Sequence, residues 1–204
     1  MFRLMMLSRI TVINIYIMKK ILFVAALCLM GLSSRGQSID GLLDNVMSLQ
    51  AKGDNKGLST ALGSLTSGLE KEVNDTGGDF KSGLLSQVGG LKKLMPLASK
   101  GMVKAGPLKK IINTIKLMLG ANRLGNMLGG GSLLGKAKAV KSGLGLMKAG
   151  SSIMGAKSGG LSNLIGGAMG NANKLDGGGL AAKGAEKALS GQLGGILSMA
   201  KGIL

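Results

Sequence analysis

The chain lacks most of the residues on which catalytic and metal chemistry depends. Its 204 residues include no His and no Trp, one Cys, one Tyr, three Phe and two Pro. The single thiol, Cys28, lies inside a predicted leader, so the mature protein has no imidazole base, no thiolate nucleophile, no disulfide and none of the usual zinc or haem ligand sets. We therefore expect a protein that is not an enzyme and that holds no cofactor or metal.

Residues 1–36 have the order of a secretory leader. Lys19 and Lys20 precede an apolar run over 21–32, and small residues follow before Gln37. A basic segment, a short apolar segment and small residues before a cleavage point are typical of signal peptides, and this run is too short to span a bilayer as a helix. Since residues 1–17 do not fit such a leader, we place the true start at Met18. The mature protein is predicted to be exported to the periplasm, to the outer envelope or out of the cell.

Charge is distributed very unevenly along the mature chain. Seven acidic residues against three lysines lie between 38 and 79, whereas the 96 residues of 80–175 contain fifteen basic residues and no acid. The last 29 residues, 176–204, are close to balance. These shifts predict an acidic segment over 37–79, a Lys- and Gly-rich segment over 80–175 and a C-terminal segment over 176–204.

Apolar residues recur at helical spacing through most of the mature chain. Leu58, Leu62, Leu65 and Leu69 are one such stripe, and no segment shows the β-branched alternation of strands. The pattern predicts an all-α fold of six to eight short amphipathic helices, with a helical hairpin over 37–79 and an amphipathic helix over 176–204. Each interior Gly costs a helix about 1 kcal/mol relative to Ala. We therefore expect the helices to be interrupted by glycine and partly flexible.

Two residues are expected to end helices in the Lys- and Gly-rich segment 80–175, which we call the basic region. Pro96 is predicted to stop the third helix, because proline lacks a backbone donor. Gly120 is predicted to lie just past the end of the helix that begins near Pro107. The sequence leaves open whether the Gly-rich segments 126–132 and 155–180 are ordered.

A long acid-free stretch with many positive charges predicts an anionic partner. Nucleic-acid recognition favours Arg forks and aromatic stacking, but the mature chain has a single Arg and one aromatic residue, Phe80. Anionic lipid or envelope polysaccharide suits lysine point charges better than nucleic acid does. The predicted binding residues are Lys92, Lys93, Lys104, Lys109, Lys110, Lys116, Arg123, Lys136, Lys138, Lys141 and Lys148.

Two alternatives remain open from the sequence. Amphipathic cationic helices are typical of membrane-active peptides, so the protein could be a membrane-disrupting toxin of the bacteriocin type, with the acidic hairpin masking the basic region. The same apolar stripes would equally form the core of a soluble periplasmic interaction module.

Pairs of glycines four residues apart predict close helix packing, because both members share one helix face. Such packing would also suit a homo-oligomer. The pairs are Gly125 with Gly129, Gly131 with Gly135, Gly155 with Gly159, Gly166 with Gly170, and Gly191 with Gly195. A separate match to a phosphate-binding loop over 130–137 is superficial, since Ala137 stands where that loop needs Ser or Thr after the Lys.

Overall fold

The computed structural model describes residues 38–152, 155, 158–202 and 204, so the predicted leader and start lie outside the described residues. Over that part of the chain the protein is all helical, with seven α-helices and no strand, which confirms the predicted fold class. The helices are α1 (Ile39–Lys52), α2 (Asn55–Thr76), α3 (Lys81–Ser99), α4 (Ala105–Gly129), α5 (Ala137–Gly150), α6 (Ser158–Ala172) and α7 (Gly179–Lys201).

α1 and α2 pack against each other along their apolar stripes. The turn between them is Gly53 and Asp54, and the Asp54 side chain accepts a hydrogen bond from the Gly57 N–H at 2.9 Å. This contact caps the first turn of α2, where backbone donors have no helical partner. Leu43 and Leu65 are among the side chains of this hairpin that are fully buried.

α3 packs against α2 and continues through Pro96 to Ser99, so the prediction that Pro96 stops this helix is wrong. Both Pro96 and Lys92, whose carbonyl loses its helical partner to the proline ring, are exposed. Because both residues lie on the solvent side of α3, water can replace the helical hydrogen bond that the proline removes. The helix ends one turn later than predicted.

α4 is the longest helix and contacts α1, α3, α5 and α7. The prediction that Gly120 ends this helix is wrong, because the helix continues for nine residues beyond it. A Cβ on Gly120 would lie 2.5 Å from the Gly143 carbonyl oxygen of α5, and a Cβ on Gly150 would lie 2.5 Å from the Asn113 carbonyl oxygen of α4. Glycine is needed at these positions because the two helix backbones touch there.

α6 and α7 complete the core. α6 packs on α5, and α7 packs on α6 and on α4. The Asn171 amide donates a hydrogen bond to the Gln192 side-chain oxygen at 2.9 Å and so links α6 to α7. Of the Gly-rich segments, 126–132 is helical up to Gly129, and 158–172 forms α6. Among the described helices, none is long and apolar enough to cross a membrane.

Candidate anionic-surface-binding site

The predicted basic residues lie on three consecutive helices and their caps. Lys92 and Lys93 are on α3, Lys104 precedes α4, and Lys136 precedes α5. The remaining residues lie within α4 and α5. Most of the eleven side chains are exposed, whereas four are only partly so: Lys116, Arg123, Lys136 and Lys141.

Two of the predicted lysines are paired with carboxylates of the acidic hairpin. The Lys92 ammonium lies 2.6 Å from the Glu70 carboxylate, which joins α3 to α2. The Lys116 ammonium lies 2.6 Å from the Asp44 carboxylate, which joins α4 to α1. These two charges are already partly neutralised within the molecule.

Arg123, which the sequence predicts to be part of the binding surface, is only partly exposed and lies in an ion-pair cluster with the acidic hairpin. Its guanidinium donates to both carboxylate oxygens of Glu72, from Nε at 2.6 Å and from Nη2 at 2.9 Å, and from Nη1 to Asp40 at 2.7 Å. Burial lowers the pKa of Arg123, but the hydrogen bonds and charges of Glu72 and Asp40 raise it overall. Three of the five guanidinium N–H groups are thus held by carboxylates, and the charge of Arg123 is compensated within the fold.

The same polar cluster reaches a fourth helix. The second carboxylate oxygen of Asp40 accepts a hydrogen bond from the Ser142 hydroxyl at 2.9 Å. Arg123 of α4 thereby links Asp40 of α1 and Glu72 of α2, and Asp40 links onward to α5. Sequence reasoning missed this cluster, although Arg123, the single Arg between 38 and 204, was a signal that could have found it.

The eight other predicted residues remain available to a partner. No carboxylate lies within ion-pair distance of them among the residues that the structure describes. They are Lys93, Lys104, Lys109, Lys110, Lys136, Lys138, Lys141 and Lys148. The acidic residues of α1 and α2 therefore neutralise a minority of the basic region.

The five predicted glycine pairs do not bring helices of this chain together. A Cβ on nine of the ten residues would meet nothing within 4 Å, and one on Gly125 would meet only the end of Leu197 at 3.8 Å. The close approach within the chain occurs instead at Gly120, Gly143 and Gly150, which face the neighbouring backbone or a bulky side chain. A helical period identifies which glycines share a face, but it does not identify the face that meets another helix. The glycines concerned are Gly125, Gly129, Gly131, Gly135, Gly155, Gly159, Gly166, Gly170, Gly191 and Gly195.

The loop that superficially matches a phosphate-binding loop binds a carboxylate of its own chain. One carboxylate oxygen of Glu186 on α7 accepts hydrogen bonds from the Ser132 hydroxyl and from the Leu133 N–H, each at 2.6 Å. These hydrogen bonds, with a smaller effect of the Lys136 charge, lower the pKa of Glu186. Through these two hydrogen bonds the loop links α7 to the C-terminal end of α4.

One cavity of about 140 Å³ lies beside the α2–α3 turn. Its lining includes Asn122, whose amide donates to the Gly77 carbonyl at 2.9 Å and whose buried oxygen has no hydrogen-bond partner. A Cβ on Gly78 would clash with that oxygen, so the oxygen packs against the Gly78 backbone. Across the described part of the chain, no group of three or more His, Cys, Asp or Glu residues could hold a metal ion.

The chain matches no family model, no curated protein and no solved structure.

Proposed function

We propose that this protein is exported, is not an enzyme, and binds anionic envelope surfaces, either membrane lipid or glycan, through the lysines of α3, α4 and α5. One observation carries the proposal. The carboxylates of Asp40, Asp44, Glu70 and Glu72 are used on the molecule's own Arg123, Lys116 and Lys92. The exposed lysines elsewhere on these helices have no such compensation in the described part of the chain.

The chemistry of these side chains favours a surface of many weak contacts. Lysine ammonium groups are strongly hydrated point charges, and each contributes about 1 kcal/mol near an anionic bilayer at physiological ionic strength. Arg123, the one arginine between 38 and 204 that could have offered a planar fork to a phosphate, is already bound to Glu72. Binding that depends on such lysines should weaken as salt is added.

Burial of the apolar stripes argues against the membrane-disrupting alternative. Ile112 and Ile115 of α4, and Leu144 of α5, are fully buried. Presenting these faces to lipid would first require the core to open. The same packed core supports the second candidate, a soluble helical interaction module, because the helices bury their apolar faces against one another without lipid.

Vesicle flotation tests the proposal. The purified protein is mixed with vesicles of phosphatidylglycerol and phosphatidylcholine, or of phosphatidylcholine alone, at roughly 0.05 M and 0.5 M salt. Immobilised acidic polysaccharide is tested in parallel. We expect binding to an anionic surface that is lost at the higher salt. Failure to bind either surface, or binding that ignores salt, would refute the proposal, and dye leakage from the vesicles would instead support the toxin.

A further inference from the structure

The α3–α4 turn presents an exposed apolar side chain in a fixed position. Gly101 has φ of +69° and donates to the Ala98 carbonyl, while the Met102 N–H donates to the Leu97 carbonyl at 2.9 Å. This pair of hydrogen bonds is the Schellman ending of a helix, in which an apolar residue after the glycine lies near the last turn. Met102 is nevertheless 62% exposed, and Leu97 is 37% exposed.

The α1–α2 turn lies beside this position. The Gln50 side-chain amide donates to the Val103 carbonyl at 3.2 Å. A Cβ on Gly101 would lie 2.7 Å from the Asn55 amide nitrogen, so the two turns are in close contact. Both turns therefore belong to one end of the helical bundle.

We name this end the basic end, because exposed lysines surround Met102 in the sequence and across the neighbouring turn. Its only acidic residue within these two turns is Asp54, whose carboxylate caps α2. The lysines are Lys52, Lys56, Lys100, Lys104, Lys109 and Lys110, and all six are exposed.

The opposite end of α4 is different. α4 has 25 residues, which places its two ends about 36 Å apart along its axis. Beyond its C-terminus lie the exposed Leu134 and Leu180. Leu180 is four residues from Asp176 and six from Glu186 along the chain. Leu134 follows Leu133, whose N–H donates a hydrogen bond to the Glu186 carboxylate. Of these two ends, as far as the structure describes them, the basic end is the one where the exposed apolar residues Met102 and Leu97 lie among lysines with Asp54 as their one nearby acid.

We propose that the basic end docks on an anionic phospholipid bilayer, with Met102 and Leu97 entering the headgroup layer and the six lysines contacting lipid phosphates. This inference rests on the proposed function and names lipid as the partner. A glycan would use the lysines alone, whereas a bilayer also gives an apolar environment to a projecting methionine. Charge complementarity and the exposed apolar pair together favour the bilayer.

A single tryptophan reports which end enters lipid. Because the chain contains no Trp, Met102→Trp introduces a unique fluorophore at the basic end, and Leu180→Trp introduces a matched one at the other end. Leu180 is 87% exposed, so neither substitution disturbs the core. Both proteins are floated with phosphatidylglycerol vesicles that carry brominated acyl chains, and circular dichroism checks that their helicity equals that of the unchanged protein.

We expect the emission of Met102→Trp to shift to shorter wavelength and to be quenched by the bromines, while the emission of Leu180→Trp does neither. If both proteins float but the tryptophan at position 102 stays in water, another surface binds the bilayer; the docking inference is then overturned and the proposed function survives. If the protein binds acidic polysaccharide but not vesicles, the docking inference is overturned and the proposed function survives. If it binds neither surface, both the docking inference and the proposed function are refuted.

Paired lysine substitutions provide a second measurement. The double variant Lys100→Gln and Lys104→Gln should bind phosphatidylglycerol vesicles about 10- to 30-fold more weakly. The control double variant, Lys183→Gln and Lys187→Gln on α7, has the same net charge and should lose less than about 3-fold. Equal losses in the two double variants would overturn the docking inference, because they would show that only net charge matters.

Discussion

The guanidinium of Arg123 and the carboxylate of Glu72 form a two-pronged ion pair, with Nε 2.6 Å from Oε1 and Nη2 2.9 Å from Oε2. The pair is partly buried, since the two side chains are 23% and 22% exposed. It joins the only arginine of the basic region to the acidic hairpin. The most basic and the most acidic parts of the chain are therefore held together by a residue that the composition alone would have assigned to a binding surface.

Replacing Arg123 should destabilise the fold. Arg123→Met leaves Asp40 and Glu72 close together, partly buried and without their cation, and we expect a loss of about 2 kcal/mol in the free energy of unfolding. Arg123→Lys keeps the charge but not the fork, so its loss should be smaller. Urea denaturation followed by circular dichroism measures both. The control Lys93→Met removes an exposed charge from α3 and should change stability by less than about 0.5 kcal/mol; a similar loss in the control would contradict a structural role for the ion pair.

Alanine substitutions should separate packing glycines from open ones. Gly120→Ala places a methyl group against the α5 backbone and should destabilise by about 1–3 kcal/mol despite the better helix propensity of alanine. Gly191→Ala, on the open face of α7, should stabilise by about 0.5–1 kcal/mol, because nothing lies within 4 Å of the added Cβ. Thermal unfolding of the two variants tests this contrast. Stabilisation by both substitutions would mean that α4 and α5 do not touch at Gly120.

Stability should fall in acid through Glu186. Hydrogen bonds from Ser132 and Leu133 hold the pKa of Glu186 below its usual value of 4.5 in the folded protein. The contribution of this carboxylate is therefore complete above pH 4.5 and is lost as the pH falls through the lower, folded-state pKa. Ser132→Ala removes the largest cause of the shift, so the pKa of Glu186 should rise towards 4.5. A carboxyl NMR titration of the two proteins measures the change, and an unmoved pKa would count against the Ser132 hydrogen bond.

Masking by the acidic hairpin is best tested by single charges. Deleting 38–79 would remove buried residues such as Leu43, Leu65 and Val73 and expose the core. Glu70→Gln instead frees Lys92 and keeps the fold. If this ion pair masks the binding surface, the variant should bind phosphatidylglycerol vesicles about 2- to 5-fold more tightly at low salt.

The matched control for masking is Asp75→Asn, which raises the net charge by the same amount. Asp75 is exposed and has no ion pair among the described residues. Its substitution should tighten vesicle binding by less than about 2-fold. Equal tightening by the two variants would show that the hairpin acts through net charge and masks nothing.

Local sequence patterns were sufficient for the helical fold class. A 3.6-residue apolar period indicates which side chains share a helix face, and the stripe of Leu58, Leu62, Leu65 and Leu69 is buried in α2. The charge separation between 37–79 and 80–175 was likewise readable from composition. Helix ends were harder to predict: both Pro96 and Gly120 lie inside helices, because solvent exposure tolerates the first and close packing requires the second.

Partner choice among the helices could not be obtained from any local pattern. Arg123 and Lys93 are both cations that the sequence places on the predicted binding surface. Of the two, only Arg123 contacts two carboxylates, and these lie 51 and 83 residues earlier in the chain. Gly120 and Gly191 are alike as interior helix glycines, yet only Gly120 faces another backbone. Periodicity specifies the faces of each helix, whereas the pairing of those faces is set by how all seven helices fill one core. That pairing also creates the basic end, where two turns meet through Gln50 and Val103, which are 53 residues apart in the sequence.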